Sequence, residues 1–268
     1  MDFLQTMAPF LLASIGGLYT EYSGTTNVAI EGYMTMGAFL FITITKVTGS
    51  FYLGVFLALS IITVLGFLHG FLTIKLKANP IITGLAVNMG FFGIISALAY
   101  KIFRTKGVIL LENSREFDTN SIILLSLLIP FLTIFIMKHT RFGLRLKVRG
   151  LSKKTLIYSN INPDFYRTTA VIVSGLFSGI AGIFLGMELR SFIPNISAGR
   201  GWISLVIIYL GRKNPIGILL GCILFSVTQM LSNFGQSQDI PSDLILASPY
   251  IFTLIALILT SKSQKQRD

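Results

Sequence analysis

The stretch SGTTNVAIEG, Ser23–Gly32, lies between two oily runs, MAPFLLASIGGLY (Met7–Tyr19) and YMTMGAFLFITIT (Tyr33–Thr45). In ten residues it places three hydroxyls, an asparagine, a glutamate and two glycines. A chain that enters lipid satisfies every backbone polar group internally. Irregular polar backbone at that depth is tolerated only inside protein or beside a wet cavity. The reading of this stretch therefore decides between a simple pair of helices and a functional break.

The rest of the chain settles that lipid is the relevant solvent. Of 268 residues, 53% are hydrophobic and 12% charged, with mean hydropathy +0.75. Soluble domains carry about 25% charged residues. Apolar runs fall near 3–19, 29–45, 51–74, 81–100, 121–137, 168–189, 202–210, 216–231 and 244–260. A span needs about 20 residues. The sequence predicts an all-α polytopic membrane protein with eight or nine transmembrane helices, some broken or half-length. Residues 202–210 are too short to cross alone as a helix. The start MDFLQ lacks the basic n-region of a signal peptide, so the first run is read as a retained helix. No linker interrupts the chain, which reads as one domain over residues 1–268.

Charge placement gives the orientation. If the basic segment Arg141–Arg167 faces the cytoplasm, alternation puts Lys75, Lys77, Arg212, Lys213 and the tail on the same side. Glu112, Glu116, Asp118, Asp239 and Asp243 then fall in outer loops. The net charge of +11 reads as topology, not as nucleic-acid binding.

Catalytic patterns are absent. The chain has no GxxxxGK[ST] phosphate loop and no HExxH, and its single Cys222 excludes a cysteine-built metal site and an internal disulfide. No cofactor is expected. His69 reads as a packed histidine. Intramembrane ionisable and amide groups are the functional candidates. Glu31, four residues after Asn27, would share a helical face with it. Asn88 lies mid-run, where structural hydrogen bonding and lining of a pathway both fit. Glu188 is two residues from Arg190, which fits an interfacial ion pair, and Glu21 is read as lying at the membrane surface. Gly175, Gly179, Gly182 and Gly186 recur at spacings that share one helical face, suited to close helix packing.

The segment from about residue 139 to 164 mixes Lys and Arg with Leu and Ile and has Asn162-Pro163-Asp164 as a helix start. It fits a surface helix on anionic lipid and equally a helix docked in a partner's groove.

Several motifs together resemble the permease subunit of ABC importers for nucleosides and simple sugars, most closely the shorter permease of basic-membrane-protein-type nucleoside importers. SGTTNVAIEGYMTMGAF is similar to the family's SGVxNxGxEGxMxxGAF, and KANPIITGLAVNM to xANQxIxGxAxN. FIPNISAGRGWISLVIIYLGRKNPIGILLG is similar to FxxxMTAGRGFIAxAxxxxGxxxPxGxxxG. The resemblance implies a substrate pathway that includes Asn27, Glu31, Gly32, Asn88, Gly199, Arg200, Gly201 and Trp202, with Phe91 and Phe92 as apolar surface. For a neutral, polar solute Glu31 is expected to organise the broken segment by hydrogen bonding and not to act as a charge-coupling site. The resemblance also implies an ATPase-coupling element over Gly150–Asp164, involving Gly150, Ser152, Lys153, Leu156, Ile157 and Ile161. There the usual GENPxAAxxxGI reads GLSKKTLIYSNI. The implied partners are a cytoplasmic ABC ATPase, a second, longer permease and an extracytoplasmic substrate-binding lipoprotein, in a bacterial inner membrane. A simple-sugar permease and a stand-alone secondary transporter are the alternatives.

Overall fold

The computed structural model describes residues 2–105, 107–111 and 119–236, with side chains through residue 232. The run at 244–260 and the acids Glu112, Glu116, Asp118, Asp239 and Asp243 lie outside the described residues. Among the described residues, ten helices run in the order α1 (Phe3–Tyr22), α2 (Ile30–Thr48), α3 (Phe51–Ile74), α4 (Pro80–Phe103), α5 (Asn120–His139), α6 (Arg141–Leu151), α7 (Lys153–Tyr158), α8 (Pro163–Leu189), α9 (Arg200–Leu210) and α10 (Pro215–Gln236). Two short strands, β1 (Ile109–Leu110) and β2 (Ser191–Phe192), pair antiparallel.

Local chemistry sets the boundaries. α4 and α8 both begin with Asn-Pro. Asn79 accepts from the Ile81 and Ile82 amides at 2.9 and 3.3 Å, and Asn162 accepts from Asp164 at 3.0 Å. The proline takes the first helical position, where a missing N–H costs nothing. Thr140 and Ser152 cap α6 and α7 in the same way. α2 ends at Gly49 in the left-handed conformation, φ 68°.

Five described helices are long and apolar enough to cross a membrane: α3, α4, α5, α8 and α10. α1 and α2 carry more polar residues and are almost wholly buried inside the bundle. α8 forms its spine. Its glycine face lets neighbouring backbones come close. A side chain at Gly182 would strike the Met34 carbonyl of α2, and Gly37 and Gly179 meet backbone to backbone. Gly66 of α3 sits against Ile172 and Gly16 of α1 against Phe177. By contrast, Phe56, Phe67, Met89 and Phe131 on α3–α5 are exposed, as expected of a lipid-facing surface.

The bundle has two chemically distinct ends. At one, β1 and β2 join α4 to α8, and Lys46 reaches the Leu110 carbonyl at 2.7 Å. At the other lie the α3–α4 turn, α6, α7 and the α9–α10 turn, with Gly150 against Gly24 and Lys213 bonded to Glu21. That second end collects Lys75, Lys77, Lys138, Arg141–Lys154, Arg212 and Lys213. From β2 the chain descends through irregular backbone to Gly199. It continues as α9, whose end meets Glu21 through Tyr209. The short run at 202–210 is thus a half-length helix preceded by irregular backbone.

Gly182→Val should lower the unfolding free energy of the purified subunit by about 2–3 kcal/mol, because backbone blocks the added methyls. Gly90→Ala, inside α4 at a position with open space around it, should leave it unchanged or raise it by up to about 1 kcal/mol. Thermal melts in detergent check both.

Candidate functional site

The opening stretch is the break between α1 and α2. Residues 23–29 are non-helical, and Gly24 turns with φ 74° against Gly150 of α6. A second irregular stretch, residues 193–199, leads from β2 into α9. Asn195, Ala198 and Gly199 all have positive φ there. For alanine such a conformation costs on the order of 1 kcal/mol and persists only where its surroundings hold it.

What holds the two stretches is a pair of caps supplied from other helices. The first N–H groups of a helix have no intrahelical partner. For α9, Glu31 of α2 takes that role. Its carboxylate accepts from the Gly199 amide at 2.9 Å, from the Gly201 amide at 2.7 Å and from the Ser197 hydroxyl at 2.5 Å. Glu31 is itself in the first turn of α2, so the positive ends of two helices converge on one negative charge. For α2, Asn88 of α4 accepts from the Gly32 amide at 2.7 Å and donates to the Val28 carbonyl at 2.9 Å. Close approach requires the glycines. A Cβ on Gly32 would lie 2.7 Å from the Asn88 oxygen, and one on Gly201 would lie 2.7 Å from Glu31 Oε2.

The structure thus brings together Glu31, Gly32, Asn88, Gly199 and Gly201. Asn27 is placed differently from its sequence reading. It lies in the break, not on a helical face shared with Glu31. It donates to Ser174 of α8 at 2.9 Å and accepts from the Ala29 amide. Arg200 is half-buried, its guanidinium turned to the carbonyls of Ser197 and Ile196. Trp202 is 41% exposed, on the outer face of α9. Phe91 is buried edge-on against Tyr33, whereas Phe92 lines open space. That space is a cavity of about 80 Å³ bounded by Phe92, Phe192, Thr35, Ser96 and Asn195. Thr35 lies 2.9 Å from Ser197, which joins the cavity to the Glu31 cluster.

Sequence reading missed Ser197, Ser174 and Thr35. The only available signal for Ser197 was its place two residues before Gly199. Sequence reading gave no sign of the partners of Glu21, which lies buried at the basic end and bonds Tyr209 at 3.0 Å and Lys213 at 2.8 Å. The hydrogen bond from Lys213 to Glu21 raises the lysine pKa above its ordinary value.

In the 139–164 segment, Gly150 contacts the break, Ser152 caps α7, and Lys153 pairs with Asp164 at 3.2 Å. Leu156 is buried in the chain's own core, Ile161 is half-buried and Ile157 is 53% exposed.

Glu31→Leu should abolish recovery of folded protein or cost several kcal/mol, since it leaves the Gly199 and Gly201 amides unpaired at roughly 1–3 kcal/mol each and takes an acceptor from Ser197. Glu31→Gln should fall between, because whichever way the amide turns, its NH2 faces one of those donors. Melting of the two variants beside wild type checks the order.

Over residues 1–260 the chain matches the family described as the branched-chain amino acid transport system / permease component. It is 29% identical to the nucleoside ABC transporter permease protein NupC of Lactococcus lactis, over 94% of this chain and 88% of that one. It is 28% identical to the guanosine ABC transporter permease protein NupQ of Bacillus subtilis, over 93% and 88%. Among solved structures, PsaBC from Streptococcus pneumoniae in complex with Fab shares the fold, with TM-score 0.56 at 13% identity over 95% of this chain and 88% of that chain. With the whole described bundle inside the matched range, the chain is a multi-pass membrane protein that belongs to this family of permease components.

Proposed function

We propose that the chain is a permease subunit of an ATP-driven ABC importer and forms half of an inward path for nucleosides across a bacterial cytoplasmic membrane. The observation that carries the reading is the junction at Glu31. Two irregular segments are pinned inside the bundle there, in a chain similar to a nucleoside and a guanosine ABC permease. A neutral, polar nucleoside needs hydrogen-bonding groups and apolar surface along its route. Thr35, Ser96 and Asn195 beside Phe92 and Phe192 offer both. Among the described residues, the bonds to the Glu31 carboxylate come from fixed protein donors, which suits a structural charge better than one that binds and releases an ion.

Eight crossings fit this role: α1, α2, α3, α4, α5, α8, the 193–210 stretch and α10, with a ninth run at 244–260. A second, longer permease would complete the path. A binding lipoprotein would deliver substrate at the β1–β2 end, and a cytoplasmic ATPase would dock at the basic end. The coupling surface is then Ile157 with its exposed neighbours Leu151 and Tyr158, 88% and 85% exposed. Gly150 against Gly24 would carry its movement to the break.

In vesicles that hold all subunits, labelled guanosine should be taken up with ATP and ignore a proton gradient. Ribose uptake alone would move the substrate to simple sugars. Uptake by this chain alone on a proton gradient would overturn the reading. Ile157→Asp should leave the subunit in the membrane but reduce copurifying ATPase at least tenfold, by burying an unpaired charge at the contact. Leu156→Asp should instead destabilise the subunit itself. Normal ATPase recovery with Ile157→Asp would remove α7 from the interface.

A further inference from the structure

A second cavity, of about 260 Å³, opens at the basic end, far from the Glu31 junction. Tyr22 of α1 forms one wall and the last turn of α5 another. α6 contributes Lys147, and the α9–α10 turn contributes Arg212–Ile216. Four cations line it, Lys138, Lys147, Arg212 and Lys213, with no carboxylate among the lining residues. Two of the four have partners: Lys213 binds Glu21 at 2.8 Å, and Lys147 lies over the Tyr22 ring at 5.4 Å. No described carboxylate pairs with Lys138 or Arg212. The first turn of α10 borders the cavity at Pro215 and Ile216, with the Ile216 amide capped by Asn214 at 3.0 Å.

The surface beyond the cavity is apolar. Ile134 of α5 and Ile216 of α10 line its rim. Phe131, Phe135 and Leu220 continue from these helices as exposed hydrophobic side chains, 58–62% exposed. A cationic pocket at the membrane surface, continuous with a lipid-facing apolar wall, matches a molecule with a phosphate at one end and acyl chains at the other.

We propose that this pocket binds the phosphate headgroup of an anionic phospholipid, whose chains lie along α5 and α10. The bound lipid would tie α6, which touches the α1–α2 break, to the α9–α10 turn. This assignment rests only on the chain's being a membrane protein, and it stands whatever solute is carried.

The test uses the full chain copurified with its partner subunits, delipidated and exchanged into micelles doped with phosphatidylglycerol or phosphatidylcholine. Native mass spectrometry counts the retained lipids. Wild type should keep phosphatidylglycerol preferentially. Lys138→Gln with Arg212→Gln should weaken that retention roughly 30-fold, from about a fivefold loss per surface charge. Lys138→Arg with Arg212→Lys should restore it, and unchanged melting in phosphatidylcholine should show both variants folded. Equal retention of the two lipids, or retention unchanged in the glutamine variant, overturns the proposal. Displacement of the lipid by millimolar inorganic phosphate would make it a free-anion site. Loss of the copurifying ATPase with lipid retention intact would make it a protein contact. Either result rejects the lipid.

Discussion

One carboxylate sets the geometry of this bundle. Glu31 neutralises the first amides of α9 while it sits in the first turn of α2. Without it, the start of α9 would face the start of α2 in the interior with its amide donors bare. Buried donors of that kind cost roughly 1–3 kcal/mol each, a large fraction of a stability of about 5–15 kcal/mol. The glycines on both sides follow from the same constraint, since any Cβ on Gly32 or Gly201 would fill the space through which donor and acceptor meet. The positive φ at Ala198 follows as well. The chain must turn sharply there to aim Gly199 and Gly201 at the carboxylate.

A helix broken at mid-depth is a way to present polar groups inside lipid without leaving backbone unpaired. Here the broken ends are capped in trans, α2 by Asn88 of α4 and α9 by Glu31 of α2. The caps make a chain of contacts from α4 through α2 to α9. The same break touches α6 at Gly24 and Gly150. A displacement of α6 thus has a continuous path of close-packed backbone to the centre of the bundle. Rigid contacts of this kind transmit small movements because packed interiors are dense and stiff.

Much of this was legible in the sequence. Composition and the spacing of apolar runs gave the helical membrane class. The Asn-Pro signal at residue 162 marked the start of α8, and its glycine spacing marked the packing face. SGTTNVAIEG was legible as a break because too many polar groups stood in one place for a continuous span. Other features were not legible, because they depend on tertiary partners. Asn27 and Glu31 stand four apart, which predicts a shared face only if the helix is unbroken, and the break sends them to different helices. The burial of Glu21 was not legible, because its partners Tyr209 and Lys213 lie about 190 residues away. Ser197 carried no signal beyond its nearness to Gly199. Leu156 and Ile157 were indistinguishable in sequence, yet α7 turns one inward and the other out.

The central claim is that Glu31 and the residues before α9 act as one bonded unit. A double-mutant cycle with Glu31→Gln and Ser197→Ala, read as unfolding free energy of the purified subunit, measures this most directly. The account predicts a coupling energy above about 1 kcal/mol, since the Ser197 hydroxyl donates to a charged carboxylate that Glu31→Gln makes neutral, and charge-assisted bonds are about twice as strong as neutral ones. Effects that add to within about 0.5 kcal/mol would show that the two side chains do not hold each other, and would contradict it.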